Sequence, residues 1–166
     1  MAHRVFIALG SNLGDRQAYY RQALERIAGL PDTAIVRQSS QYETQPLGEA
    51  RNWYLNGVIE IRTGLAAEAL LGRLQAIEHA LGRVRSAVRW ASRSLDLDIL
   101  FFDAALIDTP RLRVPHPELH KRRFVLEPLC EIAPALFHPR LGRTVAELLA
   151  ELDDEKQVIK LAPERR

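Results

Sequence analysis

The chain has 166 residues, 47% of them hydrophobic and 27% charged, with a formal net charge of +2. Those proportions fit one globular domain spanning residues 1–166 and exclude a disordered or fibrous chain. A charge so near balance argues against a non-specific nucleic-acid binder, which needs a broad positive surface.

The apolar run in MAHRVFIALGSN is too short for a signal peptide, and no stretch approaches the roughly 20 residues that span a bilayer. A soluble cytoplasmic protein without a membrane partner is expected. RVFIAL (Arg4 to Leu9) alternates as a strand, and GSNLGD follows as a loop whose Asp15 caps a helix running to about Gly29. AIVRQSSQYE (Ala34 to Glu43) and YLNGVIEIR (Tyr54 to Arg62) are predicted as two successive strands. They flank TQPLGEARNW, a loop rich in turn residues and long enough to be functional. In the second predicted helix, about Leu65 to Leu81, Leu70, Leu74, Ile77 and Leu81 recur at helical spacing and Gly82 stops it. SLDLDILFF is the fourth strand, and LRVPH adds a short edge strand. Phe124 to Ile132 and Thr144 to Leu152 read as helices, the second opening with the capping box TVAE. This order, β-α-β-β-α-β with a C-terminal helical extension, is the ferredoxin-like arrangement of the α+β class: an antiparallel sheet with helices on one face. No repeat or linker marks a second domain, and only the polar tail after Asp153 reads as loose.

Asp96 and Asp98 interrupt the fourth strand. Residues two apart on a strand share a face, so these carboxylates project one way while Leu95, Leu97 and Ile99 project the other. Two like charges roughly 6 to 7 Å apart repel unless a cation lies between them. Mg2+ is held by one or two carboxylates while water and substrate phosphates complete its octahedron, so D-x-D suits a phosphate-bound metal better than a closed protein cage. The 23 basic residues include only three lysines, leaving 20 arginines, and Arg83, Arg85, Arg89 and Arg93 crowd the segment just before the pair. Guanidinium forks bind phosphate oxygens two at a time. Phosphoryl-group transfer needs both metal and guanidinium neutralisation. Neither a P-loop nor a dinucleotide-binding glycine motif occurs.

On the preceding helix Gln75 and Glu78 are three apart, and spacing alone reads them as a solvated face. The single Cys130 reads as a core thiol rather than a nucleophile. His3, His79, His120 and His138 show no metal-ligand spacing. On the residues alone a nucleotidyl transferase or glycosyltransferase shares the D-x-D and arginine pattern. A ferredoxin-like RNA-binding module would need strand aromatics with basic neighbours, and no such paired motif appears.

ALGSNLGD (Ala8 to Asp15), SSQYETQPLG (Ser39 to Gly48), YLNGV (Tyr54 to Val58), GRVR (Gly82 to Arg85), RWASRSLDLDILFF and VPHPELHKRRFVLEPL (Val114 to Leu129) together resemble the 6-hydroxymethyl-7,8-dihydropterin pyrophosphokinase family of the folate pathway. The resemblance runs in order over about Val5 to Pro134. It implies a transferase that uses ATP and two Mg2+ ions to place a diphosphate group on the pterin hydroxymethyl, releasing AMP. Small molecules would be its partners, and a monomer is expected. The resemblance puts the metal ligands at Asp96 and Asp98, which with Arg83 and Arg93 form the catalytic set. ATP contacts fall on Gln75, Glu78, Arg83, Arg85, Arg89, Arg93, Ile99, Arg111, Leu112, His116 and Arg122. The pterin pocket falls on Thr44, Pro46, Leu47, Tyr54, Asn56 and Phe124, with Trp90 closing over it. Tyr54 and Phe124 offer aromatic faces to a flat ring, and Asn56 offers an amide that both donates and accepts. Two positions depart from the family pattern: Ser92 stands where proline is usual, and Pro117 follows His116 where another member carries an aromatic residue. The arginine-rich segment from Gly82 to Arg93 has little apolar surface with which to dock, and is predicted to act as a mobile lid.

Overall fold

β1 (His3–Ser11) runs through the centre of the sheet with both faces covered for most of its length, which is why its inward positions are apolar in succession rather than in alternation. The computed structural model describes residues 2–12, 15–44, 54–81, 95–153 and 158–161. After β1 comes α1 (Arg16–Ala28), capped by Asp15, whose carboxylate accepts from the N–H of Ala18 at 3.0 Å. β2 (Thr33–Gln38), β3 (Tyr42–Thr44) and β4 (Tyr54–Thr63) follow, then α2 (Ala67–Leu81) and β5 (Leu95–Phe102). The rest of the chain is a short hairpin of β6 (Ile107–Asp108) and β7 (Arg113–Val114), α3 (Arg123–Ile132), a second hairpin of β8 (Phe137–His138) and β9 (Arg143–Thr144), α4 (Val145–Glu151) and β10 (Val158–Lys160). The capping box that opens α4 is formed as predicted, with Thr144 and Glu147 each satisfying the other's backbone N–H. No described helix is long and apolar enough to cross a membrane.

The main sheet is antiparallel in the order β10-β3-β4-β1-β5, with β2 also paired to β4. Three expectations are corrected here. The single strand read over Ala34 to Glu43 is two, because β2 bulges between Ile35 and Arg37 and the ladder breaks at Ser39. There the Ser39 hydroxyl, instead of a strand carbonyl, accepts the N–H of Val58 at 2.9 Å. The tail after Asp153 is not loose throughout: Val158–Lys160 pairs with Tyr42–Thr44 at the sheet edge. Helices also cover both faces of the sheet. α1 and α2 close one face over Val5, Ile7, Leu9, Leu97 and Ile99, while α3 and α4 close part of the other over Phe6, Val58, Leu100 and Phe101.

The register explains how two adjacent residues reach that second face. Between Phe6 and Ile7 the pairing of β1 with β5 slips by one, so that Ile7 faces Ile99 and Phe6 faces Phe101. Leu100 is the extra residue of a bulge, and it joins Phe101 in the core beneath α3. Strict alternation would have turned Phe101 toward α2 instead.

Candidate active site

On the second face, the side chains of β4, β1 and β5 line up in cross-strand rows. Glu60, Phe6 and Phe101 form one row; Val58, Ala8 and Asp98 the next; Asn56, Gly10 and Asp96 the third. Along β1 this face therefore carries Phe6, then Ala8, then Gly10. The shrinking side chains leave a hollow that the first turn of α3 borders through Phe124 and Val125, and it forms a cavity of about 270 Å3. Gly10 is held to that size: a Cβ there would stand 3.0 Å from Oδ1 of Asn56 and push the amide aside.

Asp96 and Asp98 form one wall of the cavity, and both are half-buried. Their pleat-mates Leu95, Leu97 and Ile99 are in the opposite core, as the period of two requires. Across the hollow, Asn56 and Thr44 are both buried, and the Asn56 amide donates to the Thr44 hydroxyl at 2.5 Å. Its carbonyl side is left facing Gly10. Tyr54 and Phe124 supply two aromatic rims, and the Arg122 guanidinium stacks over the Phe124 ring at 5.7 Å from its centroid. His116 completes the wall beside Asp98. Its backbone N–H donates to the carbonyl of Leu100 at 3.0 Å, and its Nδ1 accepts the N–H of Glu118 at 3.1 Å. That second bond places the ring proton of the neutral tautomer on Nε2. Burial pushes the His116 pKa down; the Asp98 carboxylate opposes this, Arg122 adds to it and Glu118 again opposes it, with a net lowering.

Eight predicted site residues thus meet in one cavity: Thr44, Tyr54, Asn56, Asp96, Asp98, His116, Arg122 and Phe124. Others lie outside its lining. Gln75 is exposed on α2. Glu78, read from spacing as solvated, is buried, and its carboxylate accepts the N–H of Leu97 at 2.8 Å. That donor points away from β1, at the open edge of β5, and needs a partner from outside the sheet. The Ile99 side chain and Leu112 are in the core between sheet and α2. Arg111 is exposed and pairs with Glu68 of α2 at 3.6 Å. Pro46, Leu47, Arg83, Arg85, Arg89, Trp90 and Arg93, and with them the predicted lid, lie outside the described residues. Sequence reading missed Ala8 and Gly10, because a small residue in a strand signals a cavity only once its cross-strand neighbours are known. Cys130 is only partly buried, on α3; burial and then the Glu127 carboxylate push its thiol up, away from the reactive thiolate.

Two carboxylates, with no group of three or more His, Cys, Asp or Glu gathered as metal ligands among the described residues, are a donor set that fits a hard divalent cation sharing its shell with substrate phosphates. Residues 6–134 match the family described as 7,8-dihydro-6-hydroxymethylpterin-pyrophosphokinase (HPPK). The chain belongs to the HPPK family. Among HPPK relatives, the 2-amino-4-hydroxy-6-hydroxymethyldihydropteridine pyrophosphokinase of Pseudomonas aeruginosa is 48% identical over 151 residues, covering 90% of this chain and 92% of the relative. The enzyme of the same name from Bacillus subtilis is 47% identical over 133 residues, 80% of this chain and 79% of its own length. The solved Plasmodium falciparum HPPK-DHPS wild type superposes with a TM-score of 0.71 at 14% identity over 91% of this chain. This chain spans only 45% of that protein, and at such identity the likeness shows the HPPK fold alone.

Proposed function

We infer that this chain is the diphosphokinase of folate biosynthesis, transferring diphosphate from ATP to the hydroxymethyl group of 6-hydroxymethyl-7,8-dihydropterin and releasing AMP. The hydroxymethyl oxygen forms a bond to the β-phosphorus, the bond from that phosphorus to the α,β-bridging oxygen breaks, and the hydroxyl proton is lost. The observation that carries the reading is the meeting, in one hollow, of a carboxylate pair with a buried amide between aromatic rims. Phosphate chemistry has a wall on one side and a flat nitrogen heterocycle has a slot on the other.

In this reading Thr44, Asn56, Tyr54 and Phe124, together with Pro46, Leu47 and Trp90, hold the pterin. The Asn56 amide is already held by Thr44 and need not be ordered on binding. Gln75, Glu78, Ile99, Arg111, Leu112, His116 and Arg122 bind ATP with Arg83, Arg85, Arg89 and Arg93. The core position of the Ile99 side chain leaves its backbone as the contacting group. Arg83 and Arg93 complete the catalytic set with Asp96 and Asp98, which hold two Mg2+ ions that neutralise the phosphate oxygens when bound. His116 offers Nε2–H to a phosphate oxygen. The stacked Arg122 and Phe124 join nucleotide to pterin, since displacing the guanidinium disturbs both.

The architecture under this site is ferredoxin-like, with α3 and α4 as the C-terminal extension; the reading is supported by the strand order. The chain acts as one catalytic domain, a monomer of the cytoplasm. Supplying ATP, Mg2+ and the reduced pterin tests the function: AMP is expected to appear in step with diphosphorylated pterin. Release of ADP, or nucleotide turnover indifferent to pterin, would overturn it.

A further inference from the structure

Behind His116, on the side away from Asp98, a second cavity of about 180 Å3 opens between the β6–β7 hairpin, the turn at His116–His120 and the β8–β9 hairpin. Its polar lining is Arg113, Arg140, His116, His120, His138 and a single carboxylate, Asp108. Asp108 is already paired with Arg113 at 3.3 Å. We propose that this cavity is a binding site for a phosphate-type oxyanion, separate from the carboxylate-lined pocket and sharing with it only the His116 wall.

The His138 ring is fixed as a donor before any ligand arrives. His138 is 3% exposed, and its Nδ1 accepts two backbone N–H groups, from Arg140 at 3.2 Å and Leu141 at 3.0 Å. Its proton therefore resides on Nε2, and no described residue accepts it. Gly142 makes that clamp possible: at φ +67 it occupies the left-handed region that closes the β8–β9 turn, and its N–H returns to the carbonyl of His138 at 2.9 Å. The Nδ1 of His120 is buried and has no hydrogen-bond partner among the described residues. Burial, and next the neighbouring His120, hold the His138 pKa down, a repulsion that a bound anion would relieve.

A cation does not suit this lining. Two guanidinium groups outnumber the one carboxylate, and the three imidazoles do not converge: among the described residues no set of three or more such ligands could hold a metal. Ile107, Pro115 and Leu141 make the remaining walls apolar, which strengthens each charge-assisted bond to an oxyanion. The cavity has room for a phosphate or diphosphate ion with water.

The test uses the whole chain without ATP, pterin or Mg2+, so that it does not depend on the reaction assigned above. Histidine ring resonances are followed by NMR while inorganic phosphate, and separately diphosphate, is added. Saturable shifts at both His120 and His138 are expected with at least one of the two ions. The double variant Arg113→Ala/Arg140→Ala should bind that ion about tenfold more weakly or worse, yet turn over as wild type in phosphate-free buffer. Shifts confined to His116, with His120 and His138 still, would overturn the site, as would undiminished affinity in the folded double variant. Should the variant not fold, the wild-type titration alone decides.

Discussion

Asp98 faces Ala8 across the β1–β5 ladder, with the Arg122 charge and the His116 ring nearby. A carboxylate there gains nothing from an apolar contact, and on the proposed metal-binding role removing its charge should separate activity from stability. Asp98→Asn is expected to lower turnover at saturating Mg2+ by at least about a hundredfold, because a lost ligand unseats the metal. Its melting temperature should stay within a few degrees of wild type, since the change weakens repulsion with Asp96. Activity retained beside an unchanged melting curve would remove Asp98 from the metal site. Gly10 and Ala8 are the complementary residues, and their contribution is the small size that leaves the cavity open.

At the scale of elements, the start of α3 borders the cavity through Phe124 and Val125, and α3 is tied in place at its C-terminal end. The Glu131 carboxylate accepts from the Tyr42 hydroxyl at 2.6 Å and from the N–H and hydroxyl of Ser40, with Lys160 of β10 at 3.9 Å. From β2, Arg37 donates to the carbonyl of Ile132 at 2.7 Å. Burial alone would raise the Glu131 pKa, but these hydrogen bonds and the lysine charge outweigh it and bring it below the ordinary 4.5. A carboxyl lowered in the folded state adds stability above the unfolded value and loses it as pH falls through the folded one. Glu131→Gln should therefore melt a few degrees lower than wild type at pH 7, and the difference should close progressively below pH 4.5. A gap that stays constant with pH would show that the carboxylate charge is irrelevant to the latch.

For the whole molecule, two hydrophobic clusters share the strands of one sheet: Leu9 and Phe6 lie on opposite faces of β1, and Leu97 and Leu100 on opposite faces of β5. Neither cluster can dissolve without exposing strands that the other needs. Far-UV and near-UV signals are therefore expected to melt together in one transition; two separated transitions would divide the chain into independent domains. Much of this was legible in the order of residues, because it depends on near neighbours alone. Asp15 and the TVAE box announce helix starts by local hydrogen bonds, the spacing of Leu70, Leu74 and Ile77 gives the buried stripe of α2, and a period of two puts Asp96 and Asp98 on one face. What tertiary structure decided is whatever joins residues distant in sequence. The hollow at Ala8 and Gly10 requires β1 to lie between β4 and β5 in one particular register. The bulge at Leu100 overrides alternation because packing beneath α3 favours two residues on that face, and Glu78 is buried because the open edge of β5 presents an amide in need of an acceptor. Val158–Lys160 becomes a strand because β3 offers an unpaired edge, a demand that no local pattern in the tail can announce.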